Sequence, residues 1–191
     1  MSMNEEARLH AILDGNPWIA ALLDRFDAID LPDAWIVAGA LNQTVWNDRF
    51  GLPPTHGIND IDIVYFDPDL SVETEAAHAE RLRAMFALPV WLDVKNQARV
   101  HLWYEARFGK SMAPYGSVPD AIASYPTTAT SIGVRRNGGQ RETCAPFGLA
   151  DMFAGVVRPN KQLVSEAVYA AKAARWASAW PALCIIPWST A

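Results

Sequence analysis

The stretch Asp60-Ile61-Asp62-Ile63-Val64-Tyr65-Phe66 opens with strict polar–apolar alternation, is rich in β-branched residues, and stops at Asp67-Pro68. Such a segment is a strand. Its period of two sends Asp60 and Asp62 out of one face while Ile61 and Ile63 enter the other. A chain that builds this strand must bury one sheet face and hold two like charges on the opposite one. Carboxylates that close repel each other unless a cation lies between them. A hard divalent ion suits the position, since it takes oxygen ligands and commonly pairs one or two carboxylates with substrate phosphates. Ordinary solvated strands carry such pairs too, so the pair alone does not decide the matter.

The flanking segments add to it. Trp35-Ile36-Val37-Ala38 is a short apolar run ending at Gly39, which suits a buried strand. Leu41 and Val45 then follow at helical spacing as far as Phe50-Gly51. A glycine at such a strand-to-helix turn lets a phosphate approach the backbone N–H groups of the helix N-terminus. Ser71 caps a further helix with an acidic first turn, running to about residue 87. Val90-Trp91-Leu92-Asp93-Val94 reads as a third strand with a lone carboxylate, which is costly to bury unless it is paired or metal-bound. Laid beside 60–66, it would bring three carboxylates to one sheet edge. Residues 96–108 read as helix, which would set Lys95 and Arg99 on a common face.

Before this core, 5–13 reads as helical. Asn16-Pro17 reads as an N-cap and first helical residue, opening a helix that buries Trp18, Ile19, Leu22, Leu23 and Phe26. After it, 109–148 is turn-rich, and 131–136 with 141–145 could form a hairpin around Asn137-Gly138-Gly139. A last helix at 160–180 would bury Leu163, Val164, Ala167, Val168, Ala171 and Trp176. The expected architecture is one α+β domain over 1–191, with N-terminal helices at about 5–27, a core at about 34–110, and a C-terminal hairpin and helix at about 127–180.

Charge is divided unevenly. Residues 1–94 balance to −11 and residues 95–191 to +6, giving −5 for the chain, and 12 of the 16 basic residues are arginine. A cleft with carboxylates on one wall and phosphate-binding arginines on the other is one use for that division; two unlike solvated faces are the other. The acidic total speaks against a large nucleic-acid partner. No apolar run reaches the length of a membrane span, and the charged start has no signal-peptide core, so a cytoplasmic protein is expected. Cys144 and Cys184 form no CxxC pair and read as buried thiols. No HxH or HExxH spacing appears, so His56 and His101 read as packing or surface histidines rather than zinc ligands. Ser131 and Cys144 lack a motif histidine, which argues against nucleophilic hydrolysis.

The blocks Ala38-Gly39-Ala40-Leu41-Asn42-Gln43-Thr44-Val45-Trp46, Gly57-Ile58-Asn59-Asp60-Ile61-Asp62-Ile63, Leu92-Asp93-Val94-Lys95-Asn96-Gln97-Ala98-Arg99-Val100-His101 and Ala145-Pro146-Phe147-Gly148-Leu149-Ala150-Asp151 resemble a bacterial nucleotidyltransferase-like family, once described as a domain of unknown function. That family belongs to the superfamily that includes DNA polymerase beta. The resemblance implies a polymerase-beta-like fold, a short mixed sheet flanked by helices. It implies metal-dependent transfer of an NMP from an NTP to a hydroxyl-bearing acceptor. Asp60, Asp62 and Asp93 would be the catalytic and metal-binding residues for two Mg²⁺ or Mn²⁺ ions. Gly39, Ala40, Asn42, Lys95 and Arg135 would contact the nucleotide, Arg135 being favoured over Arg136 by strand alternation. Arg158 and Lys161 offer another anion site, and Trp46 and Trp103 are candidate base or acceptor contacts. Ala40 departs from the superfamily, where a serine or second glycine is usual, and the interval between Gly39 and Asp60 is long. A catalytically inactive nucleotide-binding or protein-interaction module is therefore the alternative reading.

Overall fold

The chain is described by a computed structural model covering residues 3–190. Two helices come first, α1 (Met3–Asp14) and α2 (Pro17–Asp24). Asn16 caps α2 as its sequence suggests, accepting from the Trp18 and Ile19 N–H groups, with Pro17 at the first position. The strand β1 (Trp35–Val37) then leads into α3 (Gly39–Phe50). β2 (Asp60–Tyr65), α4 (Val72–Phe86), β3 (Trp91–Asn96) and α5 (His101–Phe108) follow. The remainder holds α6 (Val118–Ala123), the hairpin β4 (Gly133–Asn137) and β5 (Gln140–Cys144), and α7 (Ala150–Ala154). A small parallel pair, β6 (Val156–Val157) and β7 (Cys184–Ile185), brackets α8 (Glu166–Ala179).

The main sheet has the order β3-β2-β1-β4-β5. β2 and β3 are parallel and the other pairs antiparallel, so the sheet is mixed. Ile36, Ile61, Ile63, Leu92, Val94 and Val134 enter one continuous core with residues of the helices α1–α4, α7 and α8. On the opposite face, Trp35, Val37 and Val64 form a smaller cluster with Val118 and Ile122 of α6, against which Ala38, Phe66, Tyr125 and Cys144 also pack. One face is thus roofed along its length, and the other is left partly open. That asymmetry creates the site.

Several expectations need correction. The third strand runs two residues past the apolar run, because Lys95 and Asn96 stay in register with Val64 and Tyr65. Lys95 therefore belongs to a strand, and a 3₁₀ turn, Gln97–Arg99, separates it from α5. Lys95 and Arg99 share no helical face. The last helix starts at Glu166 rather than near 160, and its buried positions are Tyr169, Ala173 and Trp176, while Ala167 and Ala171 are exposed. Trp18 is only partly buried, and Phe26 lies in a separate 3₁₀ turn after α2. Cys184 is exposed and Cys144 half-buried, both as free thiols.

The loop before Asp60 is long but firmly anchored. Asn47 Nδ2 donates to the Pro54 and His56 carbonyls at 3.0 and 2.9 Å, and Asn16 Nδ2 donates to Pro54 O at 3.1 Å. Trp180 Nε1 donates to Asn47 Oδ1 at 2.7 Å, bringing the end of α8 into the same buried network. His56 packs edge-on against Trp180 and lies 3.2 Å from Ala179 O, the packing role expected of it. Gly57 sits at φ +70, and a Cβ there would lie 2.6 Å from the Trp180 ring. Only glycine fits both the backbone and the space.

Candidate active site

β2 and β3 place the carboxylates. Asp62 and Asp93 are paired across the parallel ladder, and Asp60 lies two residues earlier on the same face as Asp62. Asp60 is exposed, while Asp62 and Asp93 are half-buried. Burial, then the nearby charges of Asp60 and Asp93, push the Asp62 carboxyl up to about 7. The parallel pairing of β2 with β3 thus sets the three carboxylates on one face of the sheet. Asp93 pairs with Lys95 Nζ at 3.5 Å. Among the described residues, no three His, Cys, Asp or Glu side chains are gathered closely enough to hold a metal ion. The chemistry of Asp60 and Asp62 nevertheless fits a hard cation, since both are oxygen donors on one face and Asp62 resists ionisation without a compensating positive charge.

Beside them lies the start of α3. β1 ends at Val37, opposite Asp62, so α3 begins toward the Asp60 end of β2. The turn passes through Ala38 at φ 56, ψ −125, a conformation glycine adopts far more readily. Ala38 N donates to Ile132 O at 2.9 Å, and Ala38 O accepts from the Leu41 and Asn42 N–H groups, so the turn is over-determined. Gly39 and Ala40 N–H stand at the helix N-terminus, where no intrahelical acceptor exists. The Ala40 side chain is buried and can offer only its backbone. Asn42 is fully buried, and with its amide flipped so that Nδ2 faces the turn it donates to Gly39 O at 2.9 Å and Ala38 O at 3.2 Å, an orientation that braces the turn rather than reaching a nucleotide.

A cleft of about 440 Å³ opens on the partly covered sheet face. Val37, Asp62, Val64, Lys95 and Gln97 form its floor, and Trp103, Tyr104 and Phe108 of α5 form one wall. Tyr115, Tyr125 and Pro126 line another side, with Val164, Val168 and Lys172 from the start of α8 and the residues before it. Burial, with Asp62 next in effect, holds the Tyr125 phenol well above its usual value, which keeps it a proton donor. Trp103 is in the cleft, whereas Trp46 is fully buried against Trp176 and Trp180 and cannot meet a base.

Other predicted contacts are occupied elsewhere. Arg135 does lie on the same sheet face as Val37, as alternation suggests, but farther from Asp62. It is held by Asp33 and Glu142, each at 2.5 Å, and stacks over Trp35. Arg99 is buried and pairs with Glu75 at 2.6 Å, while Glu75 also accepts from Asn96 N at 2.7 Å. That pair fastens the end of β3 to α4. Arg158 is bound by Asp151, and Lys161 lies over Trp188.

Lys172 is the residue that sequence reasoning missed. Burial lowers its ammonium, Arg175 and Arg107 act in the same direction, and Asp62 and Asp60 oppose them. Lys172 is half-buried and lines the same cleft as Asp62. The available signal was its place one turn after Val168, on the face that both present to the cleft.

A family model described as "Nucleotidyltransferase" matches residues 24–185. Among solved structures, the chain is similar to one described as "The NMR structure of the protein reveals a CCA-adding enzyme head domain". The two are 28% identical with a TM-score of 0.76, and the match covers 92% of this chain and 94% of that one. No curated protein matches. No helix among the described residues is long and apolar enough to cross a membrane.

Proposed function

We propose, from the premise that this chain belongs to the nucleotidyltransferase family, that it transfers an NMP from an NTP to a hydroxyl-bearing acceptor with divalent cations held at Asp60, Asp62 and Asp93. The observation that carries this reading is the in-register pairing of Asp62 with Asp93 on the open sheet face, beside the N-terminus of α3. When bound, two Mg²⁺ or Mn²⁺ ions would polarise the acceptor oxygen and neutralise charge on the departing pyrophosphate.

The chain's own groups divide the remaining work. The Gly39 and Ala40 N–H groups face the terminal phosphates, where the helix N-terminus favours negative charge. Lys172 and Lys95 flank Asp62 and add positive charge on the cleft side. Asp93, at the outer strand, orients the acceptor hydroxyl and takes up its proton. The acceptor oxygen forms a bond to the α-phosphorus, the bond to the β-phosphate oxygen breaks, and pyrophosphate carries away that electron pair.

The test is calorimetric binding of ATP and GTP with Mg²⁺, on wild type and on Asp60→Ala/Asp62→Ala. Binding that requires both the metal and the aspartates supports the assignment. Equal binding by the folded double variant overturns it.

A further inference from the structure

We infer that the aromatic cleft is the pocket for the donor's nucleoside, with Tyr104 as its stacking platform and Gln97 as the reader of the base edge. The inference rests on the transfer reaction proposed above and assigns the side of the carboxylates on which the base lies. Asp62 divides the open face in two. Toward Asp60 is the N-terminus of α3, where an anion gains most. In the other direction the floor continues over Val64 and Gln97, and this is where the cleft opens. A nucleotide whose α-phosphate rests at Asp62 and whose terminal phosphates face α3 must send its nucleoside into the cleft.

The lining matches that body. Trp103, Tyr104 and Phe108 form a run of rings along α5, with centroids 6.3 and 4.7 Å apart. Tyr104 also bridges the two walls, its hydroxyl donating to Leu163 O at 3.4 Å. The cleft lining holds Lys95, Lys110 and Lys172 with the carboxylate of Asp62; even with Lys95 paired to Asp93, its lysines exceed its carboxylates. It is therefore suited to a flat apolar body that carries negative charge and unsuited to a cationic acceptor. Gln97 is 5% exposed, yet among the described residues its amide makes a single long hydrogen bond, Nε2 to Lys95 O at 3.4 Å. A buried amide so weakly satisfied on the floor of a cleft can pair with a base edge that presents a donor beside an acceptor.

The experiment compares ATP with inorganic tripolyphosphate, both with Mg²⁺, by calorimetry on wild type, Tyr104→Ala, Tyr104→Phe and Gln97→Leu. α5 buries none of its residues, so the Tyr104 changes leave the core intact. The expected result is that wild type binds ATP more tightly than tripolyphosphate. Tyr104→Ala should weaken ATP about tenfold or more while leaving tripolyphosphate unchanged, and Tyr104→Phe, which keeps the ring and loses the bond to Leu163 O, should recover most of the ATP affinity that Tyr104→Ala loses. Gln97→Leu should reduce the difference in affinity among the four NTPs. If wild type binds tripolyphosphate as tightly as ATP, or the variants weaken both probes alike, the nucleoside lies elsewhere and the inference fails while the phosphate site stands. If neither probe binds, the proposed function fails with it.

Discussion

Asp62→Asn should make the metal-free protein more stable. The Asp62 carboxyl is raised from 3.8 to about 7 in the folded chain, first by burial and then by Asp60 and Asp93. A group whose folded value lies above its unfolded one contributes stability that is complete below pH 3.8 and lost as pH rises through 7. At pH 8 the ionised carboxylate therefore opposes folding, and three units correspond to at most about 4 kcal/mol. Solvent reaches this half-buried group and asparagine has its own desolvation cost, so a gain of about 1–3 kcal/mol is expected. For a chain of this size that is a rise in Tm of about 2–10 °C. Thermal melts in EDTA at pH 8 and near pH 4 provide the assay. The variant should melt higher at pH 8, and the difference should shrink toward zero at low pH. Added Mg²⁺ should stabilise wild type and not the variant, closing the gap from the other side. A variant that melts at or below wild type at pH 8, or a difference that ignores pH, would refute the electrostatic reasoning.

Other expectations can be checked with single substitutions. Gly57→Ala forces a Cβ against the Trp180 ring at a positive φ and should cost at least about 2 kcal/mol in urea unfolding; a loss below about 0.5 kcal/mol would contradict the close approach. Gly39→Ala meets Gln43 Nε2 at 3.4 Å, so its melting temperature should hold, while the proposed function expects Mg²⁺–ATP affinity to fall about tenfold because the added methyl would crowd a phosphate at the α3 terminus. Glu75→Ala leaves Arg99 buried without its partner and should cost about 3–5 kcal/mol by chemical denaturation, with an unchanged midpoint counting against the pair. Arg135→Ala should leave ATP affinity as it is, because Arg135 already serves Asp33 and Glu142; a clear loss would return it to the binding site.

The parts that could be read from sequence are those governed by local periodicity and turn chemistry. Alternation fixes the shared face of Asp60 and Asp62, and Asn16-Pro17 marks the start of α2 without help from the rest of the chain. Parts set by tertiary pairing were not readable. Lys95 and Asn96 continue a strand because β2 offers them partners, although the apolar run ends at Val94. Arg99 looks like a free basic residue until Glu75, 24 residues earlier, is seen to neutralise it. Asn42 sits in the motif expected to meet phosphates, yet its burial turns it toward the backbone of the turn itself. Lys172 comes to Asp62 from 110 positions away; its spacing from Val168 gives its helix face, but no local pattern tells which strand that face meets.

α5 lends the cleft an aromatic wall while giving no side chain to the core. The floor beneath it is different, for Ile61, Ile63 and Val94 alternate with the carboxylates and cannot change without disturbing the sheet. Substitutions along α5 should therefore cost little in folding, altering the wall of the cleft while its floor is preserved. A directed-evolution library confined to 101–108 would explore that freedom.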